Sequence, residues 1–401
     1  MHRRALFALL HKSTDKFRGD SVKVAIVHDA LICYEGPEQV LEQLIVLFPN
    51  ADLFAVVDFF EEKDRAFLKH KNVTTTMLQN IPFAKRLFRY CLPIMPYAIE
   101  QLDLSKYDLI ISSSHTVAKG VLTGPNQLHI SYIHSPIRYA WDMQHENVSF
   151  VTRMGLFFIR NWDVRSANSV DYFISNSRIS ARRIWRCYRR DAITIYPPVR
   201  TELFTLHENK HDYYVTSSRL VPNKNVRILV EAFMDMPDKK LVVIGDGPQL
   251  RMLRKIATPN IVLLGDIPEA EVIEHMQRAK AFLYAAEEDF CSSIVEAQSC
   301  GTPVITYGHG SALETVRGLG LSDKPTGLFF DEKTVSAVIK AVKQFEKVEN
   351  LFEPAQIHEH AQLFSIDKFR KNILTYFQER VGIVDTIEIS SPHMAKEGST
   401  T

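Results

Sequence analysis

Short apolar runs rich in β-branched residues alternate with helical stretches along most of the chain. Continuous apolar strands separated by helices are typical of parallel sheets that helices cover on both faces. The runs form two series, one in each half of the chain, which predicts an α/β protein with two Rossmann-like domains. The first series is 22–28, 51–57, 107–112, 129–134, 172–175 and 192–196, and the second is 213–216, 240–245, 260–264, 281–284, 303–306 and 327–330.

The two series are separated by Tyr196-Pro-Pro-Val-Arg200, where we expect a linker, because consecutive prolines fit neither a helix interior nor a central strand. A chain of 401 residues is also longer than one compact domain usually is. The expected organisation is a basic segment at 1–21, a first Rossmann-like domain at 22–198, a second at 199–364, a helix at 365–383 and a polar, disordered tail at 384–401.

The net charge of +1 is unevenly distributed: residues 1–200 carry 26 Lys and Arg against 19 Asp and Glu, and the remainder carry 22 against 28. This asymmetry predicts different partners for the two halves. A hydrophobic fraction of 46% excludes a mostly disordered, collagen-like or coiled-coil chain. Five cysteines without a C-x-x-C pair favour a reducing compartment over a disulfide framework or a zinc site.

The sequence gives little indication of a segment that would span a membrane or direct secretion. No apolar run reaches the roughly 18 residues that a spanning helix needs. The apolar core of the amino-terminal segment extends only over 5–10, which argues against a secretory signal. We therefore expect a cytoplasmic protein.

Two loops of the second half follow predicted strands, at the edge where open α/β sheets bind ligands. In Ser218-Arg-Leu-Val-Pro-Asn-Lys-Asn225, Arg219 and Lys224 would suit a diphosphate, although an ordinary solvated loop is the alternative. In Ile244-Gly-Asp-Gly-Pro248, Gly245 and Gly247 would let the backbone approach a ligand closely, or would simply form a tight turn.

The segment 285–304 places Glu288 and Glu296 on either side of a strand-to-helix loop. Carboxylates accept hydrogen bonds from sugar hydroxyls, and a helix N-terminus offers N–H groups to a phosphate. The loop could therefore hold a sugar, a diphosphate and a ribose. Alternatively, Ser293-Ile-Val-Glu296 is a capping box in which Glu296 only closes its own helix.

In the first half, the segment Ile133-His-Ser-Pro-Ile-Arg-Tyr-Ala-Trp-Asp142 follows a strand. His134 could face a cleft and bind a substrate hydroxyl or phosphate, or it could be structural. The first strand leads into a loop with Gly36 followed by Pro37 and lacks G-x-G-x-x-G, which counts against an NAD enzyme.

Basic residues are concentrated in two places of the first half. On a helical projection six arginines share one wide face, opposite Ala181, Trp185 and Tyr188; they are Arg178, Arg182, Arg183, Arg186, Arg189 and Arg190. The second place, 83–90, mixes aromatic residues with the cations Lys85, Arg86 and Arg89. Both fit contact with an anionic membrane surface, and a solvated helix face is the alternative for the first. The domain is too weakly basic for nucleic acid to be expected.

Together these segments resemble retaining GT-B glycosyltransferases of family 4, and most closely the bacterial mannosyltransferases that build O-antigen and related polysaccharides. The resemblance covers roughly 22–380 and rests on His28-Asp29, the Gly36 loop, 133–142, 196–199, 218–224, 245–248, 287–290, 295–298, 300–304 and 312–316, in this order. It implies two Rossmann-like domains whose parallel sheets face a central cleft, with the helix at 365–383 crossing back to the first domain.

The resemblance also implies roles for single residues. Arg219 and Lys224 would hold the donor diphosphate, Glu288 would contact hydroxyls of the donor sugar, Glu296 would contact the ribose, and His134 would reach the donor sugar from across the cleft. Four further positions complete the expected donor and loop contacts: Gly36, Gly245, Gly247 and Phe290.

Three positions depart from the family pattern. Pro37 replaces the second glycine of the first loop, Cys291 replaces the glycine after Glu-Asp-Phe, and Arg200 replaces the acidic residue after Pro-Pro-Val. Each puts the fit of the donor or the geometry of the linker in doubt.

The implied function is transfer of a hexose, mannose from GDP-mannose, to a lipid-linked glycan acceptor with retention of anomeric configuration. No metal or other cofactor is expected, because Arg219 and Lys224 would stabilise the leaving diphosphate. Expected partners are the inner face of the cytoplasmic membrane, where Lys85, Arg86, Arg89, Arg182, Arg186 and Arg189 would make contact, and other polysaccharide-assembly enzymes. Two alternatives stay open, a GT-B sugar-nucleotide epimerase or hydrolase and an inactive assembly subunit.

Overall fold

Two parallel sheets organise the structure, a computed structural model that describes residues 22–142 and 149–381. The first has the strand order β3-β2-β1-β4-β5-β6-β7 and the second the order β10-β9-β8-β11-β12-β13. The strands are β1 (Val24–Leu31), β2 (Asp52–Asp58), β3 (Val73–Thr75), β4 (Leu109–Ser114), β5 (Leu128–Ile133), β6 (Tyr172–Ser175), β7 (Ala192–Thr194), β8 (His211–Ser217), β9 (Leu241–Ile244), β10 (Ile261–Gly265), β11 (Ala279–Tyr284), β12 (Val304–Tyr307) and β13 (Gly327–Phe330).

Helices cover both sheets. They are α1 (Gly36–Leu47), α2 (Ala84–Leu87), α3 (Met95–Glu100), α4 (Arg138–Trp141), α5 (Phe150–Ser166), α6 (Arg178–Tyr188), α7 (Val226–Met234), α8 (Leu250–Ile256), α9 (Glu269–Arg278), α10 (Ser292–Ser299), α11 (Ala312–Thr315), α12 (Val335–Lys347), α13 (Pro354–Ala361) and α14 (Ile366–Val381). Side-chain caps fix where three of them begin, because the hydroxyls of Ser149, Ser177 and Thr334 accept backbone N–H groups of the first turns of α5, α6 and α12.

The chain reverses direction across each sheet at one point, between β1 and β4 in the first and between β8 and β11 in the second. At such a point the loops at the carboxyl ends of neighbouring strands diverge and leave a crevice, where ligands bind in open α/β sheets. The predicted Rossmann-like organisation is therefore confirmed, and all twelve expected strands are present within a few residues of their expected limits. Only the edge strand β3 was not predicted.

The sequence predicted that the six arginines of 178–190 share one helix face, and the structure shows that they do not. Helix α6 ends at Tyr188, and Arg189 caps it in the left-handed conformation with φ of 56°. Arg190 lies beyond the helix and donates to the carbonyls of Ala167, Val170 and Asp171. Trp185, expected on the apolar face, is exposed. The predicted helix face was wrong because it included Arg189 and Arg190, which follow the last residue of α6.

The last described helix, α14, packs on the first sheet rather than on the second, which precedes it in the chain. Its apolar residues Phe369, Ile373, Tyr376 and Phe377 join the core formed by α1 and the first sheet. The Arg370 Nε atom donates to Gln43 Oε1 of α1 at 2.8 Å. Residues 382 and 383 of the expected crossing helix, the expected basic segment 1–21 and the expected tail 384–401 lie outside the described residues.

The chain thus passes twice between the two sheets, and the two passages touch. Val199 N donates to Phe364 O at 2.9 Å, and Val199 forms a parallel bridge with Ser365. The rings of Tyr196 and Phe364 pack beside this contact with centroids 5.1 Å apart. Within the part of the chain that the structure describes, no helix is long and apolar enough to cross a membrane.

Candidate active site

Lys224 and Glu288 form an ion pair at the carboxyl edge of the second sheet. Lys224 ends a 3₁₀ turn, Pro222–Lys224, that follows β8, and Glu288 follows β11, the neighbour of β8 in the sheet. The Lys224 Nζ atom also lies 3.2 Å from the hydroxyl of Tyr284. Both charged side chains are partly buried, so each is the other's charge partner in a site of restricted water access.

Arg219 extends across the cleft to the other sheet. Its guanidinium lies 3.1 Å from the Glu35 Oε1 atom, just before α1. The structure therefore brings Lys224 and Glu288 together, whereas Arg219, expected to share the diphosphate with Lys224, is paired with a carboxylate of the opposite wall. The donor roles of the three residues stay predictions.

Gly245 and Gly247 hold the loop that carries Arg219. Both have positive φ, and a Cβ at Gly245 would lie 2.0 Å from the carbonyl oxygen of Ser218. A Cβ at Gly247 would lie 2.6 Å from the carbonyl oxygen of Leu220. Glycine is needed here because two backbone segments touch. A donor contact at these two positions stays a prediction.

Glu296 lies one turn into α10 and does not form the capping box that the sequence offered as an alternative. Helix α10 begins at Ser292, its N-cap is Cys291, and that cap makes no side-chain hydrogen bond. The capping interpretation is therefore wrong. Burial raises the pKa of Glu296 to about 7, and the hydroxyl of Ser292 and the charge of Arg200 offset this only in part. The ribose contact of Glu296 stays a prediction.

Cys291 lies beside the Lys224–Glu288 pair, whereas Phe290 packs elsewhere. The Cys291 thiol is within hydrogen-bonding reach of the Tyr284 hydroxyl, which also contacts Lys224. The Cys291 side chain is buried in the core beneath α10, and burial raises the pKa of its thiol to about 12. Phe290 packs against Tyr196 and Phe364, with ring centroids 6.3 and 6.2 Å away. Phe290 therefore joins the second sheet to the two chain passages, and its expected donor contact is untested.

On the opposite wall, His134 follows β5 and is buried. Its Nε2 atom and the Ser113 hydroxyl share a hydrogen bond of 2.9 Å. Burial holds the pKa of His134 well below its usual value, and His115 and His28 add to this effect, so the ring is neutral at pH 7. A neutral imidazole can bind a hydroxyl but does not carry the charge to bind a phosphate strongly.

Asp29 is the most heavily bonded carboxylate of this wall. It follows His28 in β1 and accepts the four successive backbone N–H groups of residues 115–118 at 2.5–2.8 Å. Its Oδ2 atom also lies 3.1 Å from the His115 Nδ1 atom. Burial alone would raise the pKa of Asp29, but His115 and these N–H groups hold it below its usual value. Asp29 fixes the loop after β4 against β1.

Two carboxylates of the second sheet bind groups of the first, and sequence reasoning missed both. The Asp289 carboxylate lies 3.3 Å from Arg183 Nε and 3.6 Å from Arg138 NH1. Burial raises the pKa of Asp289, and Arg183 opposes this increase most strongly. No sequence signal marked Asp289 as a partner of Arg183, since the two are far apart in the chain.

The second of these carboxylates, Glu314, closes the N-terminus of α6. It accepts the backbone N–H groups of Arg178 and Ile179 at 2.8 and 3.0 Å and the Tyr196 hydroxyl at 3.1 Å. A carboxylate at a helix N-terminus is favoured by the free N–H groups and by the helix dipole. Asp289 and Glu314 therefore join the second sheet to the first by specific polar contacts.

The remaining predicted positions lie on the first domain's surface or at its loops. Gly36 is the first residue of α1, with open space where a Cβ would be. Pro37 fits the first turn of that helix, where no N–H bond is lost. Lys85 and Arg86 are exposed in α2, and the Arg89 side chain is outside what the structure describes. Arg182, Arg186 and Arg189 are exposed as well.

Among the described residues, no three side chains of His, Cys, Asp or Glu come together as a group that could hold a metal ion. The polar groups described above include cations, carboxylates and the neutral His134. Such a set can bind a diphosphate through Arg219 and Lys224 and hydroxyl groups through Glu288 and His134.

Residues 201–362 match the family model for glycosyl transferases group 1. This segment includes Arg219, Lys224, Glu288 and Glu296. A GDP-mannose-dependent alpha-(1-6)-phosphatidylinositol monomannoside mannosyltransferase from Mycolicibacterium smegmatis is 31% identical over 145 residues, which are 32% of this chain and 37% of the relative. A Mycobacterium tuberculosis protein of the same description is 30% identical over 37% of this chain and 42% of its own length. The chain spans less than half the length of these curated relatives.

Solved structures match almost the whole fold. Anabaena HepE in complex with UDP superposes with a TM-score of 0.64 at 16% identity, over 89% of this chain and 100% of that one. The sucrose-phosphate synthase of Thermosynechococcus elongatus gives 0.67 at 16% identity, over 90% and 100%. The predicted GT-B fold is confirmed.

Proposed function

We propose that the protein is a retaining hexosyltransferase that moves mannose from GDP-mannose to a lipid-linked glycan acceptor. The observation that carries the proposal is the Lys224–Glu288 pair at the switch point of the second sheet, inside the segment that matches the group 1 model. The pair supplies one cation for a phosphate and one carboxylate for sugar hydroxyls within contact of each other.

On the donor side, the proposed chemistry begins when Lys224 and Arg219 exchange their carboxylate partners for the donor. When a nucleotide sugar enters, its diphosphate takes the place of Glu288 and Glu35 as the partner of Lys224 and Arg219. Glu288 is then available to accept hydrogen bonds from the transferred sugar. The two cations stabilise the negative charge that develops on the leaving diphosphate, which is the role a metal has in other transferases.

Retention requires the acceptor to attack the face of the sugar that the diphosphate leaves. The acceptor oxygen forms a bond to the anomeric carbon as the bond to the diphosphate breaks, and the hydroxyl proton passes to a diphosphate oxygen. His134, neutral and buried opposite Lys224 and Glu288, would orient a sugar hydroxyl during this step. The contacts of Asp289 and Glu314 with the first domain would exclude water from the cleft.

The mannose and GDP assignments rest on the relatives, several of which are described as GDP-mannose-dependent. HepE, by contrast, was solved with UDP-glucose. The identities of the nucleotide and of the sugar are therefore the first properties to determine.

A lipid-linked acceptor is supported by an exposed apolar face on the first domain. Helix α5 leaves Phe150, Val151, Met154, Phe157 and Phe158 exposed, the first two by 77% and 78%. On a soluble surface such a row is costly unless a partner covers it. Lys85 and Arg86 supply cations for anionic lipid on the same domain. We propose that this domain rests on the inner face of the cytoplasmic membrane and that the acceptor belongs to O-antigen or related polysaccharide synthesis.

The proposal is tested with a panel of nucleotide sugars. Differential scanning fluorimetry identifies the donor, because a true donor raises Tm by mass action, and we expect GDP-mannose to give the largest increase. Product analysis by NMR with a mannosylated lipid acceptor should show a new α-linkage. Turnover of the donor without any acceptor would indicate an epimerase or hydrolase, and no donor binding at all would indicate an inactive assembly subunit.

A further inference from the structure

A cavity of about 750 Å³ lies between α4 and α6 on the first domain, beside the cleft. Its lining is basic and aromatic and comprises Pro136, Trp141, Asp142, Arg183, Trp185, Arg186, Cys187 and Arg189. Arg182, on the same helix, does not line it. The surface arginines of α6 therefore fall into two groups, one inside a concave site and one outside.

The charges of the cavity are not balanced by its one carboxylate. Asp142 binds Arg183 at 2.9 Å and lies 3.3 Å from Arg138 Nε. Arg186 and Arg189 have no ion-pair partner among the described residues. Like charges three residues apart on a helix repel each other, so the arrangement costs stability unless an anion fills the cavity. Concave walls concentrate this positive potential.

One of the two free guanidinium groups, that of Arg189, is held in place by an aromatic ring. Arg189 stacks on Trp185, with its Cζ atom 4.5 Å from the ring centroid. A stacked guanidinium has already lost much of its side-chain freedom, so it loses less entropy when it binds a ligand. Trp185 presents an aromatic edge and face beside the cations, which suits an organic phosphate better than a free ion.

Residues that line or adjoin the cavity contact both the neighbourhood of the donor site and α5. Arg183 contacts both Asp142 and Asp289, and Asp289 is the neighbour of Glu288 in the chain. On the other side, Arg160 of α5 donates to the carbonyl of Ala140 in α4 at 2.9 Å. A molecule anchored in lipid at α5 and reacting at Glu288 would pass α4.

We infer that this cavity binds the phosphate or diphosphate group that joins the acceptor glycan to its lipid. The inference rests on the proposed function and assigns a subsite to its acceptor. Arg186 and Arg189 donate paired N–H groups to the phosphate oxygens, and Trp185 packs against the attached organic group.

The test compares two acceptors that end in the same sugar, a lipid diphosphate glycan and a neutral octyl glycoside. The variant is Arg186→Ala/Arg189→Asn, because Asn tolerates the left-handed conformation of residue 189. The control is Arg278→Ala, an exposed arginine of α9 on the second domain. We expect the double variant to raise KM for the diphosphate acceptor about 10-fold or more, with KM for the neutral glycoside and kcat unchanged. Arg278→Ala should change KM for neither acceptor.

An equal rise of KM for both acceptors, or none for either, would overturn the inference. Loss of binding to phosphatidylglycerol vesicles with unchanged acceptor KM would assign the cavity to a lipid headgroup and overturn it too.

A calorimetric titration with inorganic pyrophosphate separates this result from the proposed function. It uses Arg219→Ala/Lys224→Ala protein, in which the donor-side cations are removed. Pyrophosphate binding that disappears when Arg186 and Arg189 are also replaced would support the subsite even if no sugar transfer is found. Binding that survives their replacement would overturn it.

Discussion

On the wall of the cleft formed by the first sheet, the buried carboxylate of Asp29 is bound by the backbone, whereas on the second wall the central ion pair joins two side chains. Asp29 accepts four N–H groups from one loop. Lys224 and Glu288, in contrast, satisfy each other. Backbone bonds cannot be exchanged without moving a loop, but an ion pair can be replaced by a ligand's charges. The first wall is therefore a rigid support, and the second is the side that rearranges when a donor binds.

Substitutions of Lys224 and Glu288, the ion pair that a donor would replace, should have the largest effect on turnover. Lys224→Ala and Glu288→Ala should each lower kcat/KM by about 10³-fold, because each removes a group that contacts charge or hydroxyls of the transition state. Circular dichroism and Tm should show a folded protein. The control is Glu287→Ala, which removes the neighbouring carboxylate and should retain near-normal turnover. Equal activity in Lys224→Ala and wild type would contradict the exchange of partners.

Asp29→Asn should lower the stability of the folded protein, whatever its effect on donor affinity. An amide offers one acceptor oxygen and two N–H donors to a place where four backbone N–H groups need acceptors, so buried donors face each other. We expect the free energy of unfolding to fall by about 3 kcal/mol in urea titrations. Asp103→Asn, at an exposed turn, is the control and should change stability little. If Asp29→Asn left stability unchanged, the support role would be wrong.

Glu296 adds a pH dependence to the second wall. Its pKa is about 7 in the folded protein against 4.5 for an unperturbed glutamate, so the folded state favours the protonated form. Its contribution to stability is fully present below pH 4.5 and is lost as the pH rises through 7. Relative to Glu296→Gln, the wild type should lose up to about 3 kcal/mol of unfolding free energy between pH 4.5 and 8. Parallel pH profiles of the two proteins would contradict this.

The exposed ion pair between Arg219 and Glu35 should give the smallest effect. Arg219 and Glu35 are 65% and 42% exposed, and pairs of this kind contribute less than about 1 kcal/mol. Glu35→Gln should therefore tighten the Kd of the donor only about twofold, because Arg219 no longer leaves a carboxylate to bind it. Isothermal calorimetry measures this, with Glu61→Gln as an exposed control. Weaker donor binding would instead make Glu35 part of the donor site.

The sequence predicted the parts of this comparison that depend on strand order. Lys224 and Glu288 follow β8 and β11, which are neighbours in the sheet, so a correct strand pattern already placed them at one edge. Strand β3 was missed because Val73–Thr75 is a three-residue edge strand with two threonines and no apolar run. The end of α6 was missed because Arg189 adopts a left-handed conformation without the glycine that usually marks it.

Contacts between the sheets could not be predicted in the same way. The partners of Asp289 and Glu314 are more than 100 residues away and lie on another sheet. No periodicity links such positions, and their pairing follows only from how the two sheets are set against each other. Asp29 was visible in the sequence as part of the His28-Asp29 pair, but its four N–H donors belong to a loop about 86–89 residues away.

The two adjoining chain passages at Val199 and Ser365 limit how the cleft can open. A single connection would let the two domains rotate relative to each other about any axis. Two connections side by side restrict this motion. Rotation about the axis through both connections needs only small backbone changes, whereas rotation about a perpendicular axis would stretch one connection relative to the other. The cleft therefore has one easy direction of opening, which brings the two walls back into the same register each time it closes.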